Sequence, residues 1–275
     1  MHDCLIDGEI STQVPVSDRG FLYGHGIFET IAVEHNKPIF WDLHLQRLRA
    51  GCQRLGLVLP EENILLSDLQ TVCAGRPVCI VRISITATSG ERGYAAAKPI
   101  SVRRIVSSYP WPSEVELPRL KGIEIPIAEY RLAHNRALAA IKHNNRLEQV
   151  LAATETAVMA AGEGLLLDHN GFVISAISAN VFLVLGEQLI TPRLDRCGVH
   201  GVTRAALMQG FSHRCEKRRV SRELLFEADE VFICNSIRGI WPVTKIAEQK
   251  FNIGPLTREL QDWLGQQSKL LARPA

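Results

Sequence analysis

The chain has 275 residues, of which 46% are hydrophobic and 22% are charged, and its formal net charge is +2. This length allows one large domain or two of ordinary size, and the composition excludes wholesale disorder. The charge balance is too mild to indicate a nucleic-acid groove or an anionic membrane surface, and no apolar run is long enough to span a bilayer. We therefore expect a soluble protein without a nucleic-acid or membrane partner.

The cysteines and the first residues favour a cytoplasmic location. The seven cysteines are odd in number and none forms a Cys-x-x-Cys pair, so we expect reduced and mostly buried thiols. Residues 1–4 lack the basic region and long apolar run of a signal peptide. The nine histidines show no metal-ligand spacing, so the sequence predicts no metal site.

The first hundred residues predict short strands and two helices. Asp42 is expected to cap a helix that ends at Gly56, because apolar residues recur at helical spacing between them, namely Leu45, Leu48, Cys52 and Leu55. Residues 61–74 form a second helical candidate. Residues 78–86 and 100–106 are rich in β-branched residues and predict buried strands.

A proline cluster predicts a linker. Pro110, Pro112 and Pro118 lie within a short stretch, and proline disrupts both a helix interior and a central strand. We therefore expect an N-terminal α/β domain at residues 1–107, a linker at 108–120, and a C-terminal domain at 121–275 that carries Lys142.

The remaining residues again mix helices with strands. The predicted elements are a strand at 122–128, a helix at 144–161 with Leu147, Leu151, Thr154 and Val158 on one face, a hairpin at 165–174, strands at 181–185, 230–234 and 242–246, and a last helix from about Pro255 through Trp263. Neither half shows the long regular strand–helix alternation of a doubly wound sheet, so the fold class predicted is α+β.

Four segments contain residue types that bear chemistry. Gly24 and Gly26 allow a sharp turn, for which an ordinary structural role is the simpler interpretation. Arg47 is either solvated or in a salt bridge on its helix face, or it holds a phosphate bidentately. Residues 198–204 place glycines before a helix that opens at Val202, which is either a phosphate site or an ordinary helix start.

The fourth segment contains Lys142, between an apolar stretch and a polar helix start. A lysine in such a place is normally solvated. Partial burial would lower its pKa and make it a nucleophilic amine and a carrier of protons.

Together the segments resemble a known family. The motifs that carry the resemblance are Asp18-Arg19-Gly20, residues 23–30, His44-x-x-Arg47-Leu48, Lys142, residues 178–182, Gly201-Val202-Thr203-Arg204 and residues 228–232. In this order they resemble the fold-type-IV pyridoxal-phosphate enzymes of the class IV aminotransferase superfamily, over about Ile6 to Val243. Within it, residues 90–94 and 141–149 are most similar to 4-amino-4-deoxychorismate lyase.

The resemblance implies a fold, a cofactor and a set of site residues. It implies an N-terminal α/β sandwich, a C-terminal pseudo-barrel, pyridoxal 5′-phosphate between them, and a homodimer whose partner chain completes the pocket. It implies that Lys142 is the amine that holds the cofactor. The cofactor phosphate would be bound by Arg47, the backbone of Val202 and Thr203, and Ser236, and Val199 would pack against the pyridine ring. Thr30 would lie near the reacting atoms, and Arg92 and Tyr94 would bind substrate carboxylates.

One position departs from the family pattern. Where the family places a glutamate against the pyridine nitrogen, this chain has Ser175. A carboxylate keeps that nitrogen protonated, whereas a hydroxyl leaves it largely neutral, so aminotransfer would suffer more than an elimination that creates an aromatic ring. The implied reaction is the conversion of 4-amino-4-deoxychorismate to 4-aminobenzoate and pyruvate on the folate route. A D-amino-acid or branched-chain aminotransferase, and a non-catalytic cofactor-binding relative, are the alternatives.

Overall fold

The computed structural model describes residues 4–90, 93–96 and 98–272. Its contacts divide the chain into two units. The first contains the residues up to Trp111, the stretch Ile141–Asn145 and the residues from Ser268; the second contains Pro112–Ala140 and Arg146–Gln267. By contacts, the stretch around Lys142 thus belongs to the first unit, although chain order assigns it to the C-terminal domain. The expected domain limits at 107 and 121 stay a prediction.

The first unit is built on an antiparallel sheet of six strands in the order β2-β1-β6-β5-β3-β4. Its strands are β1 Cys4–Ile6, β2 Glu9–Ile10, β3 Gly26–Glu34, β4 Lys37–Pro38, β5 Val78–Ala87 and β6 Val102–Pro110. Its helices are α1 Arg19–Tyr23, α2 Trp41–Leu55 and α3 Glu62–Cys73. The apolar faces of α2 and α3 pack with alternate residues of β3 and β5 in one core.

The helix predicted after residue 42 is α2, and the predicted stop at Gly56 is confirmed. Gly56 has φ +69°, and its N–H donates to the Gln53 carbonyl at 3.3 Å, so it ends the helix in the left-handed conformation that glycine favours. The predicted cap is wrong. Phe40 occupies the cap position, and Asp42 lies in the first turn, where a negative charge favours the helix dipole.

The proline-rich stretch is more regular than its sequence predicts. Strand β6 continues to Pro110, its last residue, which lies opposite Cys79 of β5. Pro118 lies in the first turn of helix α4 (Glu116–Lys121), where a backbone N–H has no partner within the helix.

The second unit contains two sheets. The three-stranded sheet has the order β10-β9-β8, and the seven-stranded sheet has the order β13-β12-β11-β14-β15-β16 with β7 beside β15. The strands are β7 Ile123–Ile125, β8 Ile127–Leu132, β9 Leu165–Asp168, β10 Val173–Ala176, β11 Asn180–Leu185, β12 Gln188–Pro192, β13 Cys215–Arg218, β14 Glu230–Asn235, β15 Gly239–Ile246 and β16 Gln249–Lys250. Besides α4, the helices are α5 Leu147–Ala153, α6 Thr156–Ala161, α7 Val202–Gly210, α8 Arg222–Phe226 and α9 Pro255–Ala272, whose last residues belong to the first unit.

Side chains from both sheets of the second unit share one core. Leu165 and Val173 from the smaller sheet pack with Val181, Val231 and Val243 from the larger one. The predicted hairpin and the strands at 181–185, 230–234 and 242–246 are all present. The expected mixture of helices and sheets, without a doubly wound arrangement, is confirmed.

The single helix predicted at 144–161 is wrong. Helix α5 starts only at Leu147 and ends at Ala153, and Glu155 has an extended backbone before α6. The Glu155 carboxylate accepts the backbone N–H groups of Glu129 and Tyr130 at 2.6 and 2.8 Å, which fixes the break. Leu147 is exposed rather than buried, so the predicted apolar face also does not hold.

No helix within the described ranges combines the length and apolar character needed to cross a bilayer.

Candidate active site

Lys142 lies in an extended stretch that extends the sheet of the first unit. The Phe28 N–H donates to the Lys142 carbonyl and the Asn144 N–H donates to the Gly26 carbonyl, both at 2.9 Å, and Ile27 and His143 form an antiparallel bridge. The edge of β3 is available here because β4 pairs only with its far end, at Val33 and Glu34. The position of Lys142 is therefore fixed by main-chain hydrogen bonds.

Gly26 must be glycine for this pairing to form. A Cβ at this position would lie 2.7 Å from Asn144 Nδ2, 2.7 Å from Thr86 Cγ2 and 2.9 Å from the Ile85 carbonyl oxygen. The absence of a side chain at Gly26 thus allows β3 to approach the stretch that bears Lys142.

The side chain of Lys142 is half-buried and lies near an aromatic ring. Its Nζ is 4.5 Å from the ring centroid of Phe28, and Arg82 Cζ is 3.7 Å from the same centroid. Both are cation–π distances. Burial lowers the pKa of the Arg82 guanidinium. Thr30 is half-buried two residues further along β3, so strand alternation places it on the same face as Phe28.

Glu29 points to the opposite face of β3, towards α2. The Arg47 Nε donates to Glu29 Oε1 at 2.8 Å and Arg47 Nη2 donates to Glu29 Oε2, so the pair is bidentate. His44 Nδ1 lies 2.6 Å from the same Oε2. His44 and Arg47 are three residues apart on α2 and therefore share one face of the helix.

Burial and pairing set the pKa values of Glu29 and His44, which with Arg47 form a trio of polar side chains. Burial raises the pKa of the Glu29 carboxyl, but the Arg47 guanidinium and the bond to His44 outweigh burial and lower the pKa to about 2. Burial lowers the pKa of His44, and the charges of Arg47 and Lys142 lower it further against the opposing effect of Glu29. At neutral pH the trio is a carboxylate, a guanidinium and a neutral imidazole.

The loop that leads to Tyr94 is attached to α1. Arg19 is 6% exposed, and its Nη1 and Nη2 donate to the carbonyls of Gly93 and Tyr94 at 2.8 and 2.6 Å. The buried Asp18 accepts bonds from Ser89 Oγ at 2.8 Å and from Arg103 Nε at 2.6 Å. Tyr94 is 89% exposed. Arg92, the other expected substrate residue, lies outside the described residues.

The second unit contains the expected phosphate residues at the start of α7. The predicted helix start at Val202 is confirmed, with Gly201 at the cap position. A Cβ on Gly201 would lie 2.0 Å from Asn180 Oδ1, and Asn180 Nδ2 donates to the Val199 carbonyl at 2.9 Å. The first backbone N–H groups of a helix have no partner within it, so the amides of Val202 and Thr203 are suited to an anion.

The loop before α7 is tied to the chain that leads to Lys142. Ala140, which has φ +74°, donates its N–H to the Gly198 carbonyl at 2.9 Å and accepts from the His200 N–H at 3.0 Å. Val199 forms a parallel bridge with Ala140. The left-handed backbone of a non-glycine residue is maintained here by these two hydrogen bonds.

Ser175 and Ser236 occupy different parts of the same unit. Ser175 is buried on β10 and pairs with Leu166 next to an irregularity in the register. Ser236 is half-buried in the turn after β14, where Asn235 Oδ1 accepts the N–H groups of Ile237 and Arg238 at 3.0 and 2.7 Å. The described residues contain no cluster of three or more His, Cys, Asp or Glu side chains able to hold a metal.

Comparison with known proteins agrees with this arrangement. The sequence profile of the family described as amino-transferase class IV matches residues 26–246. The chain belongs to this family. It is 32% identical to the aminodeoxychorismate lyase of Vibrio harveyi over 93% of this chain and 97% of the relative.

Solved structures support the same conclusion. The class IV chain superposes on the 4-amino-4-deoxychorismate lyase of Pseudomonas aeruginosa with a TM-score of 0.90 and 41% identity, covering 96% of this chain and 98% of that one. A branched-chain amino acid aminotransferase of Escherichia coli gives a TM-score of 0.84 at 24% identity, covering 97% and 95%, which is a likeness of fold alone. The family and fold class predicted from the motifs are confirmed.

The residues that sequence reasoning missed are Glu29 and Phe28. Both lie in residues 23–30, a motif that carries the family resemblance but implies no role for either of them. Alternation along β3 places Glu29 on the helix side, and the i, i+3 spacing of His44 and Arg47 places a histidine and a cation on one helix face. That combination was a usable signal for a buried acidic partner.

Proposed function

We propose that this class IV chain is a pyridoxal-phosphate-dependent lyase that converts 4-amino-4-deoxychorismate to 4-aminobenzoate and pyruvate, a step in folate biosynthesis. The observation that carries the proposal is the full-length likeness to lyases, at 41% identity to the Pseudomonas aeruginosa structure and 32% to the Vibrio harveyi enzyme. Both exceed the 24% identity shared with the Escherichia coli aminotransferase.

The chemistry of the residues fits the cofactor. Pyridoxal phosphate needs an amine for its aldehyde and donors for its phosphate. Lys142 offers a half-buried amine on a fixed backbone, and Arg47 offers a guanidinium held in one plane by Glu29. The start of α7 offers backbone N–H groups above a cap that has no room for a Cβ. We assign the phosphate to Arg47, Val202, Thr203 and Ser236, and the pyridine ring to Val199.

Lys142 is the residue that moves protons in the proposed reaction. It removes the proton from the substrate carbon that bears the amine and assists the departure of enolpyruvate, which becomes pyruvate on protonation. When bound, the cofactor supplies an electron sink for the pair left at that carbon. Thr30 lies near the reacting atoms, and Arg92 and Tyr94 bind the substrate carboxylates in this proposal.

Ser175 gives the proposal its first test. In place of a carboxylate, its hydroxyl leaves the pyridine nitrogen largely neutral, and formation of an aromatic product supplies the driving force that makes this tolerable. We therefore expect Ser175→Glu to raise lyase turnover. Unaltered or reduced turnover in a folded variant would count against the role given to Ser175.

The proposal extends to a homodimer in the cytoplasm. All seven cysteines are free thiols, as a reducing compartment requires. Phe21 and Leu22 are 67% and 52% exposed on α1, the helix from which Arg19 binds the Tyr94 carbonyl, and a second copy would cover this apolar surface.

The direct test is to incubate the protein, loaded with pyridoxal phosphate, with 4-amino-4-deoxychorismate and to measure 4-aminobenzoate. A parallel reaction with an amino acid and a keto acid distinguishes the alternatives. Product from the first reaction alone supports the lyase, and transfer in the second alone supports an aminotransferase. A cofactor-bound protein inactive in both would be a non-catalytic relative.

A further inference from the structure

Glu29, His44 and Arg47 form a buried polar cluster within a mainly apolar layer. Glu29 and His44 are each 1% exposed, although their neighbours on β3 and α2, Ile27, Ile31, Leu45 and Leu48, belong to the core of the first unit. Burying charged groups has a large desolvation cost, and apolar residues of similar volume would pack here at least as well. The cluster is therefore better explained by a functional role than by a contribution to the stability of the fold.

The geometry of the cluster fixes the plane of the Arg47 guanidinium. Glu29 binds the edge of the Arg47 guanidinium that carries Nε and Nη2, through both carboxylate oxygens. A bidentate pair of this kind sets the plane of the guanidinium as well as its distance. The direction in which Nη1 points is then determined by the orientation of the Glu29 carboxylate.

His44 in turn holds that carboxylate. Its Nδ1 is 2.6 Å from Glu29 Oε2, and its Nε2 is buried without a hydrogen-bond partner among the described residues. A proton on Nε2 would be a buried donor with nothing to accept it, which is costly. The neutral imidazole with its proton on Nδ1 avoids this cost and donates to Glu29.

We infer that Glu29, braced by His44, is a positioning residue that orients Arg47 to bind the phosphate monoester of the cofactor. The inference rests on the proposed function, which assigns that phosphate to Arg47. It adds two residues on β3 and α2 that touch neither substrate nor cofactor and act through the arginine.

The test compares the affinities of apoprotein for pyridoxal phosphate and for pyridoxal, which lacks the phosphate. Their ratio isolates the contribution of the phosphate. Glu29→Gln removes the charge and one acceptor, and we expect it to weaken pyridoxal phosphate binding about tenfold or more. Its binding of pyridoxal should change less than threefold. His44→Gln should reduce the ratio by a smaller factor, and Arg47→Gln by at least as much as Glu29→Gln.

Two further variants keep the test decisive. Asp68→Asn removes the carboxylate of another ion pair of the same unit, with Arg104, and should leave the ratio within twofold. Glu29→Asp keeps the charge but shortens the side chain, so it provides a folded variant if Glu29→Gln does not fold. It too should reduce the ratio of the affinity for pyridoxal phosphate to the affinity for pyridoxal.

Each remaining outcome overturns a different statement. If Arg47→Gln abolishes the phosphate preference but both Glu29 variants retain it, the positioning role is wrong and the proposed function stands. If Arg47→Gln also retains the preference, the phosphate is held elsewhere and the inference fails with that assignment. If the parent protein binds neither compound, the proposed function itself fails.

Discussion

Replacing Gly201 with alanine tests whether the start of α7 is shaped by Asn180. The backbone of Gly201, with φ −67° and ψ 145°, is one that alanine adopts without strain, so any cost must come from the new Cβ. That atom would lie 2.0 Å from Asn180 Oδ1. No real contact is so short, and the asparagine side chain must therefore move.

The size of the effect follows from what the movement breaks. Asn180 Nδ2 loses its bond to the Val199 carbonyl, and an unpaired buried polar group costs about 1–3 kcal/mol. If the side chain stays, overpacking costs a similar amount, about 1–3 kcal/mol. The side chain either moves or stays, so the two costs are not added, and we expect Gly201→Ala to destabilise the protein by about 1–3 kcal/mol. We also expect it to weaken pyridoxal phosphate binding.

Urea unfolding of a double-mutant cycle measures this directly. In an Asn180→Ala background the nearest remaining atom is Arg204 Cβ at 3.6 Å, an ordinary contact, so Gly201→Ala should have almost no cost there. Gly265→Ala on α9 is the matched control, because nothing lies within 4 Å of its Cβ, and it should stabilise by about 0.5–1 kcal/mol. Equal destabilisation by Gly201→Ala in both backgrounds would refute the reasoning.

Three further predictions concern other parts of the chain. Since the pKa of Glu29 is lowered from 4.5 to about 2, its contribution to stability is complete above pH 4.5 and is lost as the pH falls towards 2. The free energy of unfolding, measured between about pH 5 and pH 2, should therefore fall less steeply with pH in Glu29→Gln than in the parent. An equal slope in the two proteins would contradict this. Arg19→Lys cannot reproduce the fork that binds the carbonyls of Gly93 and Tyr94, so steady-state kinetics should show KM for the substrate rising several-fold with kcat less affected, whereas unchanged KM would exclude a role for the loop. A thiol reagent should label Cys4 and Cys215 well before the buried Cys52, Cys73, Cys79, Cys197 and Cys234, and rapid labelling of all seven would show that the core is not closed.

Local signals in the sequence were sufficient for many elements of the fold. Helix α2 was predicted from its apolar spacing and its glycine stop, and α7 from the glycines that precede Val202. The failures arose where a tertiary contact overrides a local pattern. The break before α6 depends on Glu155 binding two amides of β8, which are distant in sequence and invisible to helical periodicity.

The same distinction applies to the candidate site. Lys142 was identified by its motif, but its sequence context suggested a helix start, whereas main-chain pairing with Gly26 and Phe28 holds it in an extended stretch. That pairing joins residues more than a hundred positions apart, so no local rule predicts it. The Glu29 carboxylate, in contrast, is accessible to local rules, because alternation along β3 turns it away from Phe28 and the i, i+3 spacing on α2 places His44 and Arg47 on one helix face.

The most direct test of the account is the release of 4-aminobenzoate and pyruvate from 4-amino-4-deoxychorismate by the pyridoxal-phosphate-loaded protein and by its Lys142→Ala variant. We predict that the parent forms the two products in equal amounts and that the variant is slower by at least about a hundredfold. Absence of 4-aminobenzoate from the parent, or a variant as active as the parent, would contradict the central claim that this chain is a lyase that works through Lys142.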